Sequence, residues 1–525
     1  MLIEQRVRRT LACAVLAGAA MLTGTSAFAN VKMPAIFSDH MVLQREMPVP
    51  VWGTADAGED VTVTFGADKA TAKADKEGHW EVKLPALKAS DKPEDLVIAG
   101  KDKVEFKDVL VGEVWICSGQ SNMEFGIKNG KDSAKEIAEA NHPLLRLFTV
   151  PKHVSYEPQT ELAKPTPPGM GTWLDCTPEN VEIGAWGGFS AVGYFFGRDL
   201  QENLKVPVGL IHTSWGGTVA EAWTEESHLK SEADLAGLVH KAPPSSDAYA
   251  KQLEKWEADA AKAKAAKKPM PRKPNDPTGN PNQGSVLFNG MVAPIVPFAV
   301  RGAIWYQGES NAGRAYQYRK LLPMMIKSWR DVFNEPEMDF YIVSLANFQK
   351  VSPTPGDDDW AELREAQAMT AAQPHNGQAM AIDLADEKNP GDIHPHNKQD
   401  VGYRLSLVAR AKTYGEKVEY SGPEYAGSKI EGNKVVIDFT HHDTLEAKGG
   451  EPLKGFQIAG EDKVWHWADA KIEGKTVVVS SKDVEKPAAV RYDWSHNPEG
   501  NLYNNAKLPA VPFRTDDWKG KTEGK

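Results

Sequence analysis

Cysteine is scarce in this chain, with three residues in 525, and one of them, Cys13, lies in an N-terminal leader. A disulfide-built scaffold is excluded; Cys117 and Cys176 can pair only with each other, or else serve as small buried hydrophobes. Long apolar runs are missing too. Nothing after the leader stays apolar for the about 18 residues that a membrane-spanning helix needs, so no membrane span is expected. Positive charge is in deficit: 61 Lys and Arg face 72 Asp and Glu, a formal charge of −11. Removal of the leader takes away three arginines and Glu4, a net +2, and brings the charge to −13. Such a chain suits neither phosphate backbones nor anionic membranes, and no nucleic-acid partner is expected. No H-E-x-x-H and no Cys/His ligand spacing occurs, so neither a metal nor a cofactor is called for.

What is present begins with that leader. Arg6, Arg8 and Arg9 precede a short apolar stretch, Leu11 to Leu22, and Ala27-Phe28-Ala29 forms a cleavage site. The pattern predicts export to the periplasm or beyond, with residues 1–29 removed after Ala29 and Asn30 as the mature start. The length exceeds what one core supports, so two or three domains are expected. Residues 30–108 read as a small β-sandwich, with alternating runs at Val49–Gly53, Val61–Phe65 and Gly78–Val82. From 109 to 414, strand candidates at 110–117, 144–150, 206–213, 298–306, 338–346 and 378–383 alternate with helix-period segments at Ser190–Leu204, Tyr316–Phe333 and Glu362–Ala372. That alternation predicts an α/β domain, a mostly parallel sheet with helices on both faces. A surface insertion at about 225–280 carries a solvated helix over 247–268. Residues 415–518 return to β character, and 519–525 are expected to be a disordered tail. Oligomeric state is not encoded in any of these patterns.

In a parallel sheet, ligands bind beyond the carboxyl ends of the strands. Four motifs stand there. Cys117-Ser-Gly-Gln-Ser-Asn-Met123 follows the run Leu110–Ile116, and Gly119 before Ser121 permits a tight turn that lifts a hydroxyl off the sheet edge. Ser121 is thus a candidate nucleophile, or else a helix N-cap. Met123 occupies the place of the last glycine of the usual nucleophile elbow. Trp215-Gly216-Gly217 closes the strand from 206, where free backbone N–H groups can face an oxyanion or simply form a left-handed turn. Gln307-Gly308-Glu309-Ser310-Asn311 closes the strand from 298; an amide can donate to an oxyanion, and Glu309 can orient neighbours or bind a sugar hydroxyl. Asp392-Ile393-His394-Pro395-His396 follows the last strand and opens a helix. From there a histidine can reach back to Ser121 as general base, with a carboxylate fixing its tautomer.

Together these four segments resemble the four blocks of the SGNH hydrolase superfamily. Over residues 31–518 the chain resembles the sialate O-acetylesterase family, most specifically in Gly119–Met123, Trp305–Ser310 and Asp392–Pro395. The resemblance implies a three-layer, flavodoxin-like SGNH hydrolase domain with flanking all-β domains, acting on O-acetylated carbohydrate. It implies Ser121 as nucleophile, His394 as general base (His396 in reserve), and an oxyanion hole formed by the Ser121 N–H, Gly216 or Gly217, and the Gln307 amide. Trp215, Glu309 and Asn311 become candidate sugar contacts. The family pattern usually places the acid three residues before the histidine, whereas Asp392 is two before; Asp383, Asp386 or a Ser–His dyad are the alternatives.

Two rival functions have their own requirements. A glycosidase would set Glu124 and Glu309 across a cleft, roughly 5–9.5 Å apart. A carbohydrate-binding protein would carry the β-modules and an inert hydrolase core, and fifteen tryptophans suit sugar stacking as well as large cores.

Overall fold

In the computed structural model the described residues are 31–525 except 241–245, 275–276 and 451; the leader expected at 1–29 lies outside the described residues. The central sheet has seven strands: β1 (Lys103–Gly119), β2 (His142–Thr149), β3 (Trp173–Cys176), β4 (Val208–Ser214), β5 (Gly302–Tyr306), β6 (Asp339–Val343) and β7 (Asn376–Ala379). Their spatial order is β7-β6-β5-β1-β4-β2-β3, all parallel except the β2–β3 pair. From β1 the chain first completes one side, placing β2 and β3 and then inserting β4 between β1 and β2, and then crosses to build the other with β5, β6 and β7. The carboxyl end of β1 is therefore the topological switch point, where crevices form in such sheets.

Alternation along β1 explains the three layers. Trp115 and Cys117 face a layer made by Ala191–Leu204 and Lys398–Lys412, with Phe196, Leu200, Val401 and Leu405 in that core. Val114 and Ile116 face the opposite core, filled by Leu322, Ile326 and Trp329 of Ala315–Phe333 and by Leu363 and Ala366 of Asp359–Ala371. The sequence-predicted strands and helices are present, with the last strand displaced to Asn376–Ala379.

The amino-terminal β-region is not a separate block. The break expected at 108 falls inside β1, a 17-residue strand whose first half pairs with Ser90–Ala99 and whose second half is the centre of the parallel sheet. Buried Glu113, mid-strand, binds Arg45 from the amino-terminal region at 2.5 Å and Arg301 at 2.9 Å. The surface helix expected at 247–268 is Ser246–Ala265.

One open alternative is decided and one expectation is overturned. Cys117 and Cys176 are both free and buried. They lie on β1 and β3, three strand spacings apart, or about 14 Å, twice the reach of a disulfide. The end of the chain is not a loose tail either: Thr522 is buried, its N–H 3.0 Å from Glu362 Oε2, and its hydroxyl accepts from the Tyr316 N–H at 2.9 Å. Buried Glu362 needs those donors, and they anchor the terminus.

Two four-stranded sheets over residues 424–514 form a third core of their own. Their link to the hydrolase domain positions the histidine loop. Arg364, almost wholly buried, donates to the carbonyls of Leu345, Ala346, Ser495 and His496 at 2.6–3.3 Å. Asn497 then donates to Gln349 O at 2.5 Å and Pro390 O at 3.2 Å, bracing the loop that leads to His394. Replacing Arg364 by Leu leaves four carbonyls without a buried donor. The expected cost is at least about 3–5 kcal/mol, read as a large fall in melting temperature; a melt at the wild-type temperature would show that this arginine does not join the domains.

Candidate active site

Ser121 opens a one-turn helix, Ser121–Glu124, directly beyond β1. Gly119 is needed for close approach: its φ is +141°, and a Cβ there would lie 2.1 Å from Tyr306 O on β5. The helix N-cap is Gln120, not Ser121, so the serine hydroxyl is not used for capping. Instead Ser121 Oγ lies 2.8 Å from His394 Nε2, a contact between residues 273 positions apart. With Nε2 accepting the hydroxyl proton, Nδ1 carries the hydrogen in the neutral ring.

Asp392 does not complete a hydrogen-bonded triad. Its Oδ1 is 4.0 Å from His394 Nδ1, outside hydrogen-bond range, and accepts the backbone N–H of His394 at 2.9 Å. With only one residue between them, the carboxylate closes a turn on the histidine's own backbone. Neither alternative acid reaches the imidazole. Asp383 forms a bidentate pair with Arg404, at 2.6 and 2.9 Å, and accepts from Tyr503. Asp386 pairs with His396 Nδ1 at 2.5 Å, so His396 faces a carboxylate while His394 faces the serine.

Behind the serine lies a buried polar knot. Asn122, fully buried, donates to Glu309 Oε1 at 2.7 Å and to Ile393 O at 2.9 Å, and accepts from Lys398 Nζ at 2.5 Å. Lys398 is wholly enclosed, with its ammonium 4.8 Å from the Phe125 ring and 5.4 Å from Tyr306. Burial pulls the Lys398 ammonium down to about 7 and pushes the Glu309 carboxyl up. Burial also lowers the pKa of His394, helped by the nearby Lys398 cation and opposed by Asp392. The imidazole is therefore held toward its neutral, proton-accepting form.

On the other side of Ser121 stands the turn after β4. A Cβ on Gly216 would be 3.2 Å from Ser121 Cβ, and its N–H donates to Glu124 Oε2 at 2.6 Å. Glu124 Oε1 takes Lys152 at 2.5 Å, and Lys152 Nζ covers the Trp215 ring at 5.0 Å. The row after β5 corrects the ligand-facing roles expected of Gln307 and Asn311, while Glu309 takes the alternative of orienting a neighbour, Asn122. Gln307 spends its amide hydrogens on Thr218 O at 3.1 Å and Asn311 Oδ1 at 2.7 Å, and is fully buried. Asn311 is buried between Gln307, Glu221 and the Ala220 N–H. The Glu309 carboxylate is enclosed, one oxygen on Asn122 and the other unpartnered. Gln307 and Asn311 brace the turn because burial demands partners for each amide, and neither amide is presented to a ligand. Glu124 and Glu309 are likewise both engaged by protein, which removes the paired-carboxylate arrangement of a glycosidase.

Among the described residues, the one group suited to a cation is His40, Asp108 and Asp175, and Arg146 Nη1 already sits in it, 2.6 Å from Asp108.

Residues 282–409 match the sequence profile of "Carbohydrate esterase, sialic acid-specific acetylesterase". The rat sialate O-acetylesterase is 30% identical in an alignment covering 92% of this chain and 94% of that protein. The chain belongs to the sialate O-acetylesterase family. The human sialate O-acetylesterase is 29% identical over 93% of each chain. A crystal structure of a carbohydrate acetylesterase from Xanthomonas citri is 37% identical, with a TM-score of 0.78, covering 93% of this chain and all of that one. By that membership this protein is a carboxylic ester hydrolase.

Sequence reasoning about this sialate O-acetylesterase family member missed Asn122, Lys398, Lys152 and Trp186. Lys398 reads as one more solvated charge at a helix start, and only the fold encloses it. Trp186 carried a signal, an aromatic among Gly184, Gly187 and Gly188 just before a helix. The electrostatics predict that His394 loses its proton below the ordinary value of about 6.5. Lys398→Met removes a cation that opposes protonation, so the midpoint moves upward, with Asp392 acting in the same direction and burial still opposing it. Histidine-selective NMR titration of both proteins checks this; a wild-type midpoint above 6.5, or a downward shift in the variant, contradicts it.

Proposed function

We propose that this protein removes O-acetyl groups from carbohydrates through a serine-bound acetyl intermediate. The 2.8 Å contact of Ser121 Oγ with His394 Nε2, at the switch point of the sheet, carries the reading. Ser121 Oγ attacks the acetyl carbonyl carbon as His394 Nε2 takes its proton. The oxyanion is received by the Ser121 N–H and the Gly217 N–H, since Gly216 donates to Glu124 and Gln307 is spent. The sugar C–O⁻ leaves with the proton returned from the imidazolium. Water, deprotonated by the same nitrogen, then releases acetate and restores the serine.

Asp392 assists through charge and by holding the His394 backbone, not through a hydrogen bond to the ring. The names of the rat relative and the Xanthomonas neighbour, which mention sialate and carbohydrate acetyl esters, support the substrate class. The leader over residues 1–29 supports action outside the cytoplasm.

Ser121→Ala should abolish turnover of an aryl acetate while the melting temperature holds; wild-type turnover in that variant sinks the assignment. His394→Ala should lose nearly as much. Asp392→Asn keeps an acceptor for the His394 N–H, and its loss should fall far short of the about 10⁴-fold seen when a hydrogen-bonded triad acid is neutralised. A loss of that full size would mean that Asp392 reaches Nδ1 during the reaction.

A further inference from the structure

The proposed chemistry accounts for the acetyl group but leaves the sugar without a contact, because Gln307, Glu309 and Asn311 all face inward. One large apolar side chain at the site remains unspent. Trp186 is 43% exposed, and its ring centroid lies 5.0 Å from that of His394 at an interplanar angle of 80°. It also meets Phe125 at 5.3 Å and 78°. Trp215, on the opposite side of Ser121, differs in that Lys152 covers its ring.

Trp186 is held in place at a conformational cost. Its φ is +43°, a region that bulky residues rarely adopt and that persists only where the surroundings enforce it. Its carbonyl accepts from the Gly126 N–H at 3.2 Å and from Asn129 Nδ2 at 2.8 Å. The next residue, Gly187, packs so closely on Asn129 that a Cβ would lie 2.5 Å from Nδ2. The Lys128 N–H and the Gly187 carbonyl close the clamp at 3.0 Å. An exposed indole fixed beside the general base, with its backbone constrained from both sides, is a preorganised surface rather than a loop tip.

Resting on the proposed esterase reading, we propose that Trp186 is the platform on which the pyranose ring of the substrate stacks. The ring carbon that bears an ester is separated from the acyl carbon by the ester oxygen alone. A sugar acetyl seated at Ser121 therefore brings its ring to the His394 side of the site, where Trp186 offers an apolar face to the axial C–H groups. A small alkyl acetate such as ethyl acetate has no ring to place and does not use it.

The test compares Trp186→Gly, which relieves the positive φ, and Trp186→Phe, which keeps an aromatic face. Each is assayed on a ring-acetylated methyl xylopyranoside and on ethyl acetate, with melting curves as the folding control. For Trp186→Gly, KM on the sugar ester should rise about tenfold, while kcat/KM on ethyl acetate stays within about twofold. Trp186→Phe should recover most of the sugar affinity. Equal losses on both esters would assign Trp186 to holding the imidazole and overturn the proposal, as would unchanged KM on the sugar. Failure of the esterase reading is separate, since it would appear as no Ser121-dependent turnover of either ester by the wild-type protein.

Discussion

Asn122 ties together the three parts of the chain that make the site. Its amide joins Glu309 beyond β5, the Ile393 carbonyl next to His394, and Lys398 at the start of the following helix. Because Asn122 is the residue after Ser121, these bonds set the distance between the serine and a histidine that arrives from far along the chain. Asn122 and Lys398 are wholly buried, so each depends on these bonds for solvation that water no longer supplies. A local change at any of them should be felt as a change of register between Ser121 and His394.

The same knot sets the electrostatics. A lysine enclosed within reach of the imidazole disfavours a second positive charge, and burial acts in the same direction. His394 thus rests neutral, with Nε2 free to accept the hydroxyl hydrogen of Ser121. Asp392, 4.0 Å away, lies close enough to favour the imidazolium once it forms, while its hydrogen-bonding capacity is used on the backbone. The outer β-regions contribute by bracing: Arg364 and Asn497 hold the loop before His394 from one side, and Glu113 fixes β1 from the other.

Much of this was legible in the sequence, because hydrophobic alternation gives strands and a strand-end rule gives the site. The parallel sheet, Ser121 and the histidine segment all came from such local signals. What local signals could not show was which polar groups would be consumed by the fold. Gln307 and Asn311 look like ligand contacts in the chain and become mutual partners once buried. Lys398 looks solvated and is enclosed. Whether Cys117 and Cys176 pair or stay as buried hydrophobes was open in the chain for a topological reason, since strand order cannot be read from strand content. Trp186 lies in a loop, where the only signal is an aromatic among glycines and no periodicity says which way it faces.

The central claim is that Ser121 becomes acetylated during turnover. Mixing the protein with 4-nitrophenyl acetate, quenching in acid within the first turnovers and mapping the digest by mass spectrometry tests it directly. The account predicts one added acetyl group on the peptide that contains Ser121, and none in Ser121→Ala. Turnover of the ester with that peptide unmodified at every quench time, or with the acetyl group on another residue, would contradict it.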